Sequence, residues 1–124
     1  MEGKQFAEYR KRLGKTQRQM AQLIGTSIKA VHSYEQGWRS VPAHVERQVL
    51  FLISRLPENR RRRANCWNLM KCPVERRRKC PAFEFKTGNM CWFINGTLCA
   101  GEPHRNWKEK MKMCRDCELL QRIL

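Results

Sequence analysis

The sequence lacks several features that mark large classes of proteins. Its 124 residues contain no uninterrupted apolar run that approaches the roughly 18 residues of a membrane-spanning helix, so we expect no membrane partner. The first residues are charged throughout and have no apolar run of the kind that a secretory signal uses. These absences predict a cytoplasmic protein.

Histidine and acidic residues are both scarce. The three histidines, His32, His44 and His104, form no recognisable nucleophile or acid–base arrangement, and we therefore expect no enzymatic activity. Only 11 Asp and Glu residues oppose 26 Lys and Arg residues, which gives a net charge of +15. Such an excess of positive charge favours a polyanionic partner.

Cysteine is absent from the first 65 residues, and all seven cysteines follow that point. This break in composition predicts two modules, residues 1–56 and 66–124, joined by a basic linker at 57–65. Pro57 should stop a preceding helix at this boundary. The positive charge is shared among the parts, with a net +5 in residues 1–54, +4 in 55–65 and +6 in 66–124.

The first module has the apolar periodicity of helices. Phe6, Tyr9 and Leu13 form one stripe, and another runs from Val45 to Leu56. Between them, Thr16 and Gln19 have capping-box spacing, Gly25 marks a helix end, and Thr26 or Ser27 can cap a third helix that runs to Gly37. We predict a mainly α protein with a four- or five-helix N-terminal domain; the pattern alone fits a helix–turn–helix or an ordinary small bundle.

A family resemblance favours the helix–turn–helix. The segment TQRQMAQLIGTSIKAVHSYEQGWRSVP, Thr16 to Pro42, resembles lambda-repressor-like, Xre-type transcription regulators. The shared pattern is Thr-Gln, an apolar-Ala pair, Leu-x-Gly and then Tyr-Glu-x-Gly before a Pro. The resemblance covers roughly the first 55 residues and implies a DNA-binding domain.

The resemblance also implies residue roles. One residue at the start of the second helix and one after the third would touch phosphate, and the outward face of the third would read base edges. The implied DNA-binding residues are Gln17, Ile28, Lys29, His32, Ser33, Gln36 and Arg39. Glu35 would pair with Arg10 in a structural role, and Ala21, Val31 and Tyr34 would be core. A solvated helix face remains the alternative for Lys29 and His32.

The second module has too few aliphatic residues to fold without a covalent or metal cross-link, which we call a staple. We therefore expect a small, irregular, metal-stapled domain. Disulfides are disfavoured because cytosolic thiols stay reduced. Zinc would suit the Cys114-x2-Cys117 spacing, whereas an iron–sulfur cluster tolerates irregular spacing and Cys-Pro pairs. We favour an iron–sulfur cluster, of the 4Fe-4S type, with zinc as the alternative. The candidate ligands are first Cys114 and Cys117, then Cys72 and Cys80, and then, unranked, Cys66, Cys91 and Cys99.

The same module resembles a bacterial cysteine-rich module with paired Cys-Trp motifs, the two-CW type. The residues that carry the resemblance are Cys66-Trp67, Cys80-Pro81-Ala82, Cys91-Trp92, the segment from Gly96 to Glu102, and Cys114-x2-Cys117. That family occurs in regulators and sensory proteins, and it implies no ligand assignment.

Together these features predict a sequence-specific transcription regulator that binds double-stranded DNA as a homodimer and senses redox state or oxygen through its cofactor. The apolar tail from Leu119 to Leu124, or the stripe from Val45 to Leu56, would supply the dimer contact or else be plain core. Arg60–Arg63 and Arg76–Lys79 would contact phosphate or else be solvated runs of charge. Two alternatives stay open, namely the same regulator with a purely structural zinc site and a basic adaptor that binds RNA or protein.

Overall fold

The structure is a computed structural model that describes residues 1–60, 65–69, 71–94, 97–98 and 106–124. It divides into two compact units, Met1–Leu56 and Pro57–Leu124. Every regular element in the described ranges is helical, which confirms the prediction of a mainly α fold.

Four helices make up the first unit. They are α1 (Gly3–Arg12), α2 (Gln17–Ile24), α3 (Ile28–Gln36) and α4 (Ala43–Ser54). The prediction of four or five helices is therefore resolved at four. Only three residues separate α2 from α3, which makes the two helices a tight pair.

The ends of α2 and α3 follow the polar residues expected from the sequence. Thr16 caps α2 by accepting a hydrogen bond from the Gln19 amide at 3.1 Å, and the Gln19 side chain returns a bond to the Thr16 amide. Gly25 ends α2 in the left-handed conformation at φ 68°. Ser27, rather than Thr26, caps α3 through the Ala30 amide. The capping box and the glycine stop are confirmed.

The core of the first unit is apolar and continuous across all four helices. Tyr9 and Leu13 pack against it from one side. Gly3 permits α1 to approach α3 closely, because a Cβ at this position would lie 2.5 Å from the Tyr34 carbonyl oxygen. The buried residues of this core are Phe6, Met20, Ala21, Ile24, Ala30, Val31, Tyr34, Val45, Val49 and Ile53.

The second unit is built from short helices. None of those in the described ranges exceeds eight residues, and the longest, α9, is capped by Asn106 through the Glu109 amide. The elements are α5 (Pro57–Arg60), α6 (Cys66–Leu69), α7 (Val74–Arg78), α8 (Pro81–Glu84), a 3₁₀ helix (Cys91–Phe93), α9 (Trp107–Cys114) and α10 (Glu118–Gln121).

The first part of the predicted linker is structured. Helix α5 falls in the second unit, and Asn59, which is fully buried, donates through Nδ2 to the Ile123 carbonyl at 3.1 Å. Arg61–Arg63 lie outside the described residues. The second unit therefore begins before Cys66, because the buried side-chain amide of Asn59 links α5 to the C-terminal residues of the same unit.

Aromatic rings and a glycine shape the middle of the second unit. Trp67 meets Phe83 edge to face with ring centroids 5.2 Å apart. A Cβ at Gly88 would lie 2.5 Å from the Trp67 ring, and the Gly88 carbonyl accepts a bond from the Cys66 amide at 2.8 Å. This part of the chain is closely packed although its helices are short.

In the part of the chain that the structure describes, every helix is too short or too polar to cross a lipid bilayer.

Candidate functional site

Helix α3 has two chemically different faces. Ala30, Val31 and Tyr34 point into the core of the first unit, and the sequence predicted this for Val31 and Tyr34. The opposite face carries Ile28, Lys29, His32, Ser33 and Gln36, all exposed or half-buried. The sequence-predicted residues of α3 thus lie on the side that faces away from the core.

The beginning of α3 presents an apolar and a cationic side chain together. Ile28 is 42% exposed. The Lys29 side chain is also exposed, and its ammonium group makes no hydrogen bond or ion pair with the described residues. An aliphatic side chain can pack on a thymine methyl, and a lysine can donate to guanine O6 or N7 in the major groove.

The rest of the outward face is polar. The Ser33 hydroxyl donates to the Lys29 carbonyl at 2.9 Å, so its oxygen remains as an acceptor for a base amino group. Gln36 is exposed at the last position of the helix and Arg39 is exposed three residues later. The Arg39 guanidinium makes no hydrogen bond or ion pair with the described residues.

Gln17 is engaged in a network that joins three helices. Its side-chain amide donates to Glu35 Oε2 at 2.6 Å, and Arg10 also bonds the Glu35 carboxylate. Arg10 Nη1 in turn donates to the Lys15 carbonyl at 2.8 Å. The predicted structural pair of Glu35 and Arg10 is confirmed.

The electrostatics of this network favour an ionised Glu35. Burial alone would raise its pKa, but the hydrogen bonds from Arg10 and Gln17 and the charge of Arg10 outweigh burial, so the pKa of Glu35 lies below its usual 4.5. An amide nitrogen has two N–H donors. Gln17 therefore keeps a second N–H donor at the first position of α2.

Trp38 lies beside this surface and was missed by the sequence reasoning. Its side chain is 72% exposed, and its ring meets His32 edge to face at 5.4 Å with an interplanar angle of 78°. The signal was present, since a tryptophan directly after the glycine that ends a helix has no place in that helix's core stripe.

Several cysteines of the second unit share one apolar cluster. We call Cys66, Cys80, Cys91 and Cys117 the cysteine cluster; they pack with Ala82, Leu119, Leu69 and Leu98. The Leu98 amide donates to Cys80 Sγ at 3.5 Å. The cluster draws its thiols from α6, from the start of α8, from the 3₁₀ helix and from the start of α10.

Cys72 stands close enough to this cluster to be affected by it. Burial raises the pKa of the Cys72 thiol, Arg76 lowers it, and Cys80 and Cys66 raise it again, with a higher value as the net result.

The remaining candidate ligands are placed differently. Cys114 is buried at the end of α9 and accepts a backbone bond from the Cys117 amide at 3.0 Å. Cys99 lies outside the described residues. The structure shows no disulfide among the six cysteines that it describes, and among the described side chains no group of three His, Cys, Asp or Glu residues is arranged to hold a metal ion.

A lysine is buried in the same unit. Lys110 is fully enclosed, and its ammonium group donates to the Thr97 hydroxyl, which is also enclosed. The sequence pattern predicted neither position as part of a core, because lysine and threonine carry no apolar periodicity.

The two apolar stripes named as dimer contacts are largely buried. Val45, Val49 and Ile53 belong to the core of the first unit. In the tail, Leu119, Leu120 and Ile123 are at most 5% exposed. These side chains therefore act as core rather than as surface.

Comparison with known protein families identifies the type of domain that the first unit forms. A family model described as a helix-turn-helix domain matches residues 3–56. Its span covers α1 to α4, so the first unit is a helix–turn–helix domain and the corresponding prediction is confirmed. No curated protein and no solved structure matches the chain.

Proposed function

We propose that this protein is a sequence-specific transcription regulator that binds double-stranded DNA with α3 in the major groove. The observation that carries the proposal is the outward face of α3, where Ile28 and Lys29 are exposed beside polar side chains while the opposite face is core. A helix–turn–helix domain presents its second helix to the groove in this way.

The charge distribution supports a duplex partner. Residues 1–56 carry ten basic and four acidic side chains, and two of the outward cations, Lys29 and Arg39, have no partner among the described residues. Phosphate neutralisation by such side chains supplies much of the affinity of DNA-binding proteins. Gln17, with its second amide donor, adds a contact that is not charged.

A binding selection on a randomised duplex library tests the proposal. The recovered duplex should bind wild-type protein far more tightly than an unrelated duplex does. Lys29→Ala should weaken the specific complex by about tenfold and relax the preference at one base pair, because a lysine contact to a base edge discriminates by about 1–3 kcal/mol.

Lys4→Ala is the matched control, since Lys4 is an exposed lysine on α1. This control removes the same charge and should leave base preference unchanged. Equal effects of the two substitutions would show that α3 does not read the bases. Preferential binding of single-stranded RNA, or of no nucleic acid, would favour the adaptor instead.

We further propose that the second unit holds a cysteine-ligated iron–sulfur cluster. The support is the donor chemistry. The four thiols of the cysteine cluster pack together, the Leu98 amide donates to Cys80 Sγ, and Cys72 lies near them. Among the described residues no three of these side chains are arranged to hold a metal ion, so the ligand set stays open among Cys66, Cys72, Cys80, Cys91, Cys99, Cys114 and Cys117.

Such a cluster would supply one-electron chemistry and a dependence on oxygen. A redox change can alter DNA affinity only if the two redox states favour different conformations of the protein. We propose that the second unit provides this difference and that the regulator is a cytoplasmic homodimer reading two half-sites.

Anaerobic purification followed by a visible spectrum and iron, sulfide and zinc analysis tests the cofactor. A brown protein with stoichiometric iron and sulfide supports the cluster. A colourless protein with stoichiometric zinc replaces the sensor with a structural zinc site. Sedimentation of the same sample, with and without DNA, tests the dimer.

A further inference from the structure

Trp38 combines high exposure with a fixed backbone. It is the most exposed of the large apolar side chains that the structure describes. Its amide donates to the Ser33 carbonyl at 3.0 Å, and the Arg39 amide donates to the same oxygen at 3.3 Å. Gly37, at φ 78°, turns the chain at this point. The tryptophan is therefore held at the end of α3 rather than carried on a free loop.

The indole ring is also supported from one side. His32 meets it edge to face, and His32 lies one turn along α3 from Ile28 and Lys29. Aromatic pairs at this distance and angle are attractive. We call Trp38 and His32 the aromatic platform. It continues the outward face of α3 beyond the last turn of the helix.

Core packing does not explain the aromatic platform. The core of the first unit is complete without Trp38, and Tyr34 already fills the inward position at this end of the helix. An exposed tryptophan leaves a large apolar area in water, and tryptophan is enriched where proteins bind partners. Cations lie nearby, since Arg39 follows Trp38 directly and Lys29 lies one turn of α3 from His32.

We propose that the aromatic platform is a second DNA-contacting surface, in which Trp38 packs on a deoxyribose and donates its indole N–H to a backbone phosphate. This inference rests on the proposed function. Indole offers one N–H donor and no acceptor, which suits a phosphate oxygen. The charge of Arg39 and Lys29 selects DNA backbone over an apolar protein surface as the occupant.

An uncharged backbone contact has a distinctive signature. Trp38→Ala should weaken binding by about tenfold on specific and unrelated duplexes alike, because backbone contacts carry no sequence information. The slope of log affinity against log salt should stay unchanged, since no counterion is released on its account. Arg39→Ala should instead reduce the magnitude of that slope by about 0.9.

Two further variants sharpen the test. Trp38→Phe keeps a ring against His32 and removes the N–H, so it should retain part of the lost affinity. Phe51→Ala removes an exposed aromatic side chain from α4 and should leave DNA affinity unchanged. In wild-type protein, DNA should alter the tryptophan fluorescence and shield it from iodide, and Trp38→Phe should abolish that response.

Four outcomes would overturn the inference. The first is wild-type affinity in Trp38→Ala on all duplexes. The second is a loss confined to one base pair, which would make Trp38 a base-reading residue. The third is a DNA-free dimer that Trp38→Ala dissociates, which would assign the platform to a second copy of the chain. The fourth is a DNA-induced fluorescence change that persists in Trp38→Phe. Failure of wild-type protein to bind any duplex would instead refute the proposed function.

Discussion

The two units of this chain bury their cores by different means. The first unit has helices of 8 to 12 residues, with capped ends and an apolar core that draws on every helix. In the described ranges, the helices of the second unit have three to eight residues, and its interior includes thiols, a lysine and an asparagine. Isolated helices shorter than about 12 residues are marginal in water, so tertiary contacts must hold the second unit together.

Under the proposed function, the first unit would bind DNA and the second would respond to the redox state. The stability of the first unit comes largely from apolar burial, which does not depend on thiol chemistry. A unit that depends on thiol chemistry can change its stability when that chemistry changes. Four experiments test this difference between the two units.

Removal of the proposed metal should have the largest effect, and it should act on one unit only. Anaerobic chelation should unfold the second unit because a metal-stapled domain has little structure without its metal. The first unit should keep its fold. An amide NMR spectrum before and after chelation measures both. Cys80→Ser should reproduce the loss, and a spectrum that stays dispersed for both units would remove the need for a staple.

Breaking the Glu35 network should destabilise the first unit by about 3 kcal/mol, since Arg10 would lose its carboxylate partner in a largely buried site. The change is Glu35→Gln, and urea unfolding of the first unit at several pH values measures it. Glu8→Gln, at an exposed site on α1, should have no effect.

The pH dependence of this effect has a definite sign. The pKa of Glu35 is lower in the folded state, so its contribution is fully present above pH 4.5 and is lost as the pH falls through the lowered value. The difference between wild type and Glu35→Gln should therefore shrink in acid. A difference that grows in acid would contradict the ionised network.

Glycine-to-alanine substitutions at the two closely packed glycines, Gly3 and Gly88, compare the packing of the two units. Gly3→Ala should cost about 2 kcal/mol because the new Cβ meets the backbone carbonyl of Tyr34, which can move only with α3. Gly88→Ala should cost less, since it meets the half-buried side chain of Trp67, which can rotate. Lys4→Ala controls for the change at the start of α1. A larger cost at Gly88 would make the second unit the more rigid of the two.

Matched helix caps give the smallest and most direct comparison. Thr16→Ala and Asn106→Ala each remove a side-chain acceptor for an amide, at 3.1 and 3.0 Å, and each should cost about 1 kcal/mol. The cost at Asn106 should be measurable only while the second unit is folded. Urea unfolding with and without metal checks this, and an effect of Asn106→Ala that is independent of metal would argue against the staple.

The sequence predicted the first unit better than the second for a physical reason. Caps, glycine stops and apolar stripes are local, so Thr16, Gly25 and the pairing of Arg10 with Glu35 were recognisable from spacing or resemblance. Helix α9 was missed although Trp107, Met111 and Cys114 have helical spacing. Asn106 followed by Glu109 three positions later was the local signal for its start.

The functional residues divide in the same way. The face of α3 follows from helical periodicity, whereas the exposure of Trp38 depends on where the chain turns after Gly37. The grouping of Cys66 with Cys80, Cys91 and Cys117 depends on contacts between residues far apart in the chain. The spacing of cysteines along the sequence favoured Cys114 with Cys117, because spacing detects only ligands that are close together in the chain.

The hydrogen bond from Asn59 to the Ile123 carbonyl spans 64 positions of the chain. During synthesis at about 5–20 residues per second, this bond has to wait roughly 3–13 s after Asn59 is made. The helix–turn–helix domain is complete before Asn59 is added. On the ribosome, there is therefore an interval in which the helix–turn–helix domain has been made but the hydrogen bond from Asn59 to Ile123 in the cysteine-rich unit cannot yet form.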